Sequence, residues 1–194
     1  MKEDDSAAGS LSRRRFLAQT LIGVSAFVCG NALAIPPPDA PRKIQQRELH
    51  LINDNTREKL DVIYWKDGAY VDDILGQLHY LLRDHHTGKA ALIDPKLYDF
   101  LYQLQENLDT TERIHVLSGY RTPETNAYLR KTSLGVARNS YHTKGQAVDI
   151  YIPGVDANVI QKAARKLRMG GVGYYSKAGF VHLDTGYARH WSRG

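Results

Sequence analysis

Hydrophobic and polar positions change texture three times along this chain. A mostly apolar run, Phe16 to Cys29, follows a polar and basic stretch. From residue 47 the pattern becomes periodic. Arg47 to Ile52 and Lys59 to Trp65 alternate apolar and polar residues around Asn53-Asp54-Asn55-Thr56, which predicts a β-hairpin, and Lys66-Asp67-Gly68 turns the chain again. Asp72-Asp73 opens a stretch in which Ile74, Leu75, Leu78, Leu81 and Leu82 recur at helical spacing, predicting a helix that ends near Gly88. A second helix starts at Asp94-Pro95, with Asp as cap and Pro at the first helical position, and carries Leu97, Phe100, Leu101, Leu104 and Leu108. After Asp109 short β-like runs take over, at Arg113 to Leu117, Gln146 to Ile152, Gly171 to Tyr175 and Phe180 to Leu183. Helices are expected between them at Pro123 to Lys131, capped by Thr122, and at Asn158 to Leu167. The expected fold is one α+β domain, with helices backing a small, mainly antiparallel sheet and functional residues on strands and loops of the C-terminal half.

The first 34 residues read as an address. Ser12-Arg13-Arg14-Arg15-Phe16-Leu17 precedes an apolar run softened by Gln19, Thr20, Gly23 and Ser25, the order of a twin-arginine signal. Ala32-Leu33-Ala34 offers a cleavage site, and Pro36-Pro37-Pro38 starts an extended linker over residues 35–46, leaving a domain over 47–194. The apolar run falls short of the roughly 20 residues that span a bilayer. Cys29 follows Val28, where lipoprotein acylation needs a small residue, so cleavage after Ala34 and release into the periplasm are expected, without stable membrane insertion. Twin-arginine substrates travel folded, so a metal can be loaded before export.

Composition narrows the chemistry. The 194 residues, 42% hydrophobic, supply one packed core and too little for two ordinary domains. Of 26 basic and 21 acidic residues, the leader holds four and three, so the remainder keeps 22 against 18. That small and dispersed excess argues against a nucleic-acid partner and leaves an anionic one open. Cys29 is the single cysteine, so the mature chain has neither disulfide nor thiol nucleophile. A monomer is expected.

Two apolar strands carry residues that do not belong in them. Asp149 lies between Val148 and Ile150, seven residues after His142 on a polar, glycine-containing loop; a buried carboxylate there needs a cation or several donors. In Phe180-Val181-His182-Leu183-Asp184 the alternation places His182 and Asp184 on one face. His142, Asp149 and His182 form a three-ligand N/N/O set, which leaves a fourth zinc position for water, as in catalytic rather than structural zinc sites. On residue types alone the more ordinary reading is that they are satisfied polar groups of the core.

Several ordered blocks weigh the balance toward zinc. Ser118-Gly119-Tyr120-Arg121, Ser140-Tyr141-His142-Thr143-Lys144-Gly145-Gln146-Ala147, Gly170-Gly171-Val172-Gly173-Tyr174-Tyr175, Phe180-Val181-His182-Leu183-Asp184-Thr185-Gly186 and Ala188-Arg189-His190-Trp191 resemble the superfamily of D-alanyl-D-alanine metallopeptidases, lysostaphin-type endopeptidases and the hedgehog signalling domain. Within it they are most similar to the MepK-like murein endopeptidases. The resemblance covers the mature chain and implies one Zn2+ held by His142, Asp149 and His182. It also implies hydrolysis of peptidoglycan peptide cross-links, specifically the 3-3 link between two meso-diaminopimelate residues. Arg121 matches an arginine that holds a substrate carboxylate or stabilises the oxyanion in the peptidase branch. Relatives often place a proton acceptor three or two residues before the last histidine ligand, where this chain has Gly179 and Phe180. Asp184 is then expected to act as base or, slightly preferred, to orient a ligand imidazole. His190 is a further candidate if the C-terminal segment folds over the site, and His115 a remoter one.

Other features carry less. His85-His86 reads as a helix C-terminal pair, and the 12 tyrosines as packing or as the lining of a groove. Gly170-Gly171-Val172-Gly173 lacks the following helix of a nucleotide loop. The two competing expectations are a zinc-containing peptidoglycan-binding module without turnover and a D-Ala-D-Ala carboxypeptidase.

Overall fold

The computed structural model describes residues 45–133 and 135–194. The expected leader, its cleavage site, Cys29 and most of the linker lie outside the described residues. Eight strands form one sheet: β1 (Gln46–Asn53), β2 (Lys59–Lys66), β3 (Ala69–Tyr70), β4 (Ile114–Ser118), β5 (Ala147–Tyr151), β6 (Gly171–Tyr175), β7 (Phe180–Asp184) and β8 (Arg189–Arg193). Their spatial order is β3-β2-β1-β4-β5-β7-β6-β8, antiparallel except for the parallel pairs β1/β4 and β6/β8. Four helices accompany it, α1 (Asp72–Leu81), α2 (Pro95–Leu108), α3 (Pro123–Thr132) and α4 (Ala157–Leu167). The α+β class and the mainly antiparallel sheet are as expected, although the sheet is larger than the four C-terminal runs and one hairpin suggested. No helix among the described residues is long and apolar enough to cross a membrane.

The side-chain period of two explains where the core lies. Val148 and Ile150 of β5 and Val181 and Leu183 of β7 are fully buried in one cluster with Leu49, Leu51, Ile114 and Val116. Helices α2 and α4 pack on β1, β6 and β7, and α2 contributes Leu97, Phe100, Leu101 and Leu104, all without solvent exposure. Each such side chain contributes about 1.5–3 kcal/mol through burial. Helix α2 begins as expected, with the Asp94 carboxylate accepting the Lys96 amide at 3.1 Å and Pro95 following. The alternate residues, Asp149 and His182, face away from this core.

Helix α1 stops at Leu81, earlier than its apolar spacing predicts. The Leu82 carbonyl accepts the Tyr120 amide at 2.7 Å, and the buried Asp84 carboxylate accepts the amides of Thr122 at 2.8 Å and His86 at 2.9 Å. These bonds draw the chain out of the helix and tie it to the β4–α3 connection, so His85-His86 occupy a loop rather than a helix end. Burial opposes ionisation of Asp84, but the donors from Thr125, Thr122 and His86 outweigh it and pull its pKa down to about 2. Because the folded-state pKa is depressed, the stabilisation is complete above about pH 4 and is lost as pH falls toward 2. Asp84→Asn should therefore destabilise the domain by about 1–3 kcal/mol at pH 7. The difference should shrink near pH 2, as measured by denaturant unfolding at both pH values.

Candidate metal centre

His142 is placed by a short 3-10 helix over Tyr141–Lys144. Ser140 Oγ accepts the His142 amide at 3.3 Å at its start, and Gly145 ends it at φ 65°, a left-handed conformation suited to glycine. Asp149 and His182 come from neighbouring antiparallel strands and are directly opposite in register. All three are buried, at 2%, 6% and 8% exposure. The donor atoms converge: His142 Nε2 lies 3.2 Å from His182 Nδ1 and 3.2 Å from Asp149 Oδ1, and Asp149 Oδ1 lies 2.8 Å from His182 Nδ1.

The outer nitrogens decide what this cluster needs. His142 Nδ1 stands 2.7 Å from the Gly119 carbonyl oxygen, and His182 Nε2 stands 3.1 Å from Asp184 Oδ2. Both partners are acceptors only, so each outer nitrogen is placed to carry the ring proton of a neutral imidazole, which frees the inner nitrogen to offer a lone pair. With both rings neutral in that way, two lone pairs and a carboxylate oxygen face one another in a buried space, an arrangement that calls for a cation or a proton among them. These residues fit a metal ion.

Titration follows the same demand. Burial lowers the pKa of His142, against the pull of the Asp149 charge. Burial acts likewise on His182, but hydrogen bonds to Asp149 and Asp184 prevail and raise its pKa, so that a proton answers the need for positive charge. Burial pushes Asp149 upward, yet the two imidazoles hold it well below the ordinary carboxylate range.

The surrounding motif residues each have a mechanical reason. Ser118 Oγ accepts Arg121 Nε at 2.7 Å, while Arg121 Nη2 donates to Asp149 Oδ2 at 2.5 Å. Gly119 packs so tightly on Leu82 that a Cβ would collide with the Leu82 backbone, and this contact presents its carbonyl to His142. In β6, Gly171 and Gly173 act together. Strand β8 lies beyond β6, yet Arg189 reaches across Gly171 to grip Asp184 at 2.9 and 2.6 Å. The Trp191 ring reaches across Gly173 to within 5.3 Å of the His182 ring. A side chain at either glycine would occupy the space these groups use.

The sequence-derived candidates separate into three groups. His142, Asp149, His182 and Arg121 come together, and Asp184 stands directly behind His182. Its carboxylate, without solvent exposure, also receives the Gly171 and Gly186 amides. That environment suits the orienting role rather than a base. Burial raises its pKa tendency, but His182 and Arg189 hold it far below normal. His190 requires correction: the C-terminal segment does fold back, but His190 is opposite Val172 and projects beside Lys162 and Arg165 of α4, on the other face of the sheet. The residues delivered to the site are Arg189 and Trp191, whose roles the sequence analysis did not identify. His115 is held at 2.7 Å by Asp54, away from the cluster. Gly179 and Phe180 offer no proton acceptor; Phe180 stacks on Tyr175 at 4.4 Å.

The cluster opens into a cleft of about 610 Å³ walled by Arg121, Tyr141, Tyr175, Phe180, Trp191 and Arg193. Residues 42–191 match the family Peptidoglycan L,D-endopeptidase MepK. The chain belongs to that family. It is 41% identical over 181 residues to the Peptidoglycan L,D-endopeptidase MepK of Escherichia coli (strain K12), covering 93% of this chain and 97% of that protein. It is 37% identical over 182 residues to the Probable peptidoglycan L,D-endopeptidase MepK of Haemophilus influenzae, covering 93% and 95%. No solved structure matches the chain. The match to the MepK family includes all four residues that converge at the centre and extends through Trp191 of β8.

Proposed function

We propose that this chain is an exported zinc endopeptidase that cleaves the 3-3 peptide cross-links of peptidoglycan. The observation that carries the reading is the pair of imidazoles whose outer nitrogens face acceptors and whose inner nitrogens converge on a buried carboxylate oxygen. The two nitrogens and one oxygen suit zinc, and their separations approach the edge of about 3.3 Å expected for ligands bound at about 2.0–2.1 Å. The names of the family and its relatives support peptidoglycan as substrate. Their L,D designation fits a bond between the L centre of one diaminopimelate and the D centre of the next. The paired arginines at Arg13-Arg14 and the Ala32-Leu33-Ala34 site support twin-arginine export to the periplasm.

Bound at this centre, zinc supplies a Lewis acid and a water of lowered pKa. The chain's own residues prepare the site. Asp184, clamped by Arg189, keeps the proton of His182 on Nε2 so that Nδ1 stays a donor of electrons. Gly119 does the same for His142. Arg121 lines the cleft beside Asp149, where its permanent charge stabilises negative charge developing on the scissile carbonyl oxygen. Tyr141, Phe180 and Trp191 limit water around the reacting bond.

One observation favours a second reading, a zinc-holding peptidoglycan-binding module without turnover. Among the described cleft residues no carboxylate other than Asp149 is present, and Asp184 behind it is committed to His182 and Arg189. The test is incubation of the mature protein with muropeptides carrying 3-3 and 4-3 cross-links, with and without chelator. Loss of 3-3 dimers that chelator prevents is the expected result. Binding without cleavage would favour the module, and release of free D-alanine a carboxypeptidase.

A further inference from the structure

The cleft wall carries three arginines, and two of them are engaged. Arg121 spends its guanidinium on Ser118 and Asp149, and Arg189 on Asp184. Arg193, two residues beyond Trp191 on the same face of β8, has no ion-pair partner among the described residues. It is exposed, lines the cleft, and its guanidinium lies against Gly135, where a Cβ would displace it. Strand β8 is anchored at this point, because the Arg193 carbonyl accepts both the amide of Ser176 at 2.9 Å and its hydroxyl at 3.3 Å. Among the described residues the cleft therefore presents one arginine fork without an ion-pair partner, on a fixed strand, next to the Tyr175–Phe180 stack and two strand positions along from the His182 row. Two strand positions correspond to about 6.5–7 Å along the strands, and β8 lies two strands, about 9–10 Å, from β7, so Arg193 stands roughly 11–12 Å from His182, within reach of a substrate group beside the reacting bond rather than of the bond itself.

We infer that Arg193 binds a free diaminopimelate carboxylate of the cross-link. This rests on the endopeptidase reading above and moves the carboxylate-holding role expected of Arg121 to a different residue. The chemistry favours it: after the cross-link forms, the D-centre carboxylate beside the scissile nitrogen and the one at the far end of the acyl-donor residue both remain ionised. The described cleft residues offer no other uncommitted arginine for either. A planar fork suits a carboxylate in two-point contact, and a neutral amide in its place forfeits the charge-assisted bonds. Arg193 is thereby a specificity residue, acting on substrate binding rather than on the reacting bond.

The test is a two-by-two kinetic comparison of Arg193→Gln and the unaltered enzyme on a 3-3 muropeptide dimer with free diaminopimelate carboxylates and on the same dimer fully amidated there. Arg193→Lys serves as the conservative variant. The unaltered enzyme should prefer the free acid by about ten-fold in kcat/KM, the scale of one charge-assisted contact at a partly exposed site. Arg193→Gln should lose that factor through KM, with kcat little changed, and should treat the amidated dimer as the unaltered enzyme does. Arg193→Lys should recover part of the preference. Retention of the preference in Arg193→Gln, or equal losses on both dimers, would overturn the assignment while leaving the endopeptidase intact. Failure of the unaltered enzyme to cleave either dimer would overturn the endopeptidase reading and this inference with it.

Discussion

If the proposed function holds, Asp149→Ala is expected to abolish both stoichiometric zinc binding and hydrolysis of peptidoglycan cross-links. The carboxylate is the one anionic member of the convergent set, and its Oδ1 lies within 3.2 Å of both inward ring nitrogens. Without it two neutral imidazoles remain, and the Arg121 guanidinium, now unpaired at the edge of the same cavity, repels any cation entering there. Turnover is expected to fall at least about a thousand-fold, equivalent to roughly 4 kcal/mol of lost transition-state stabilisation. Metal analysis of the purified variant, beside the muropeptide assay, checks both halves. A variant holding one zinc per chain with full activity would contradict the ligand assignment.

The second large effect is expected from Asp184→Ala, although this side chain reaches neither cleft nor substrate. Its carboxylate is without exposure and pairs with Arg189, whose side chain is 24% exposed. Removing one partner of a buried pair costs about 3–5 kcal/mol, and the partial exposure of Arg189 places this case near the lower figure. His182 also loses the acceptor that fixes its tautomer, so zinc affinity should fall about 10- to 100-fold. The expected pattern is a lowered melting temperature and a weakened zinc affinity in chelator competition, with activity returning as zinc concentration is raised. A purely structural role would lower stability without changing the affinity of the folded fraction for zinc. Unchanged affinity would therefore reject the orienting role.

Much of this was legible before the structure. The caps at Asp94 and Thr122 and the short apolar runs of β5 and β7 placed the main elements, because strands buried on both faces read as brief apolar runs and helices as a more widely spaced stripe. The same apolar setting exposed Asp149 and His182 as residues out of place. Strand β8 was not legible: Arg189-His190-Trp191-Ser192-Arg193 has one apolar residue, since it lies at the sheet edge and covers the site rather than the core. Its contribution depends on contacts across β6 that no local pattern encodes. The available signal was Gly171-Val172-Gly173, two glycines at alternate positions of a strand, which marks close approach by another chain segment. The early end of α1 was illegible for a similar reason, because the bonds that unwind it come from residues 120 and 122.

The account rests on a metal ion held jointly by His142, Asp149 and His182, and the most direct measurement is the metal content of the folded protein. Zinc counted by native mass spectrometry should give one ion per chain in the unaltered protein and none in His142→Ala or His182→Ala at equal protein concentration. X-ray absorption at the zinc edge should show only nitrogen and oxygen ligands. Zinc retained at one equivalent in both histidine variants, or no zinc bound by the unaltered chain at micromolar metal, would contradict it.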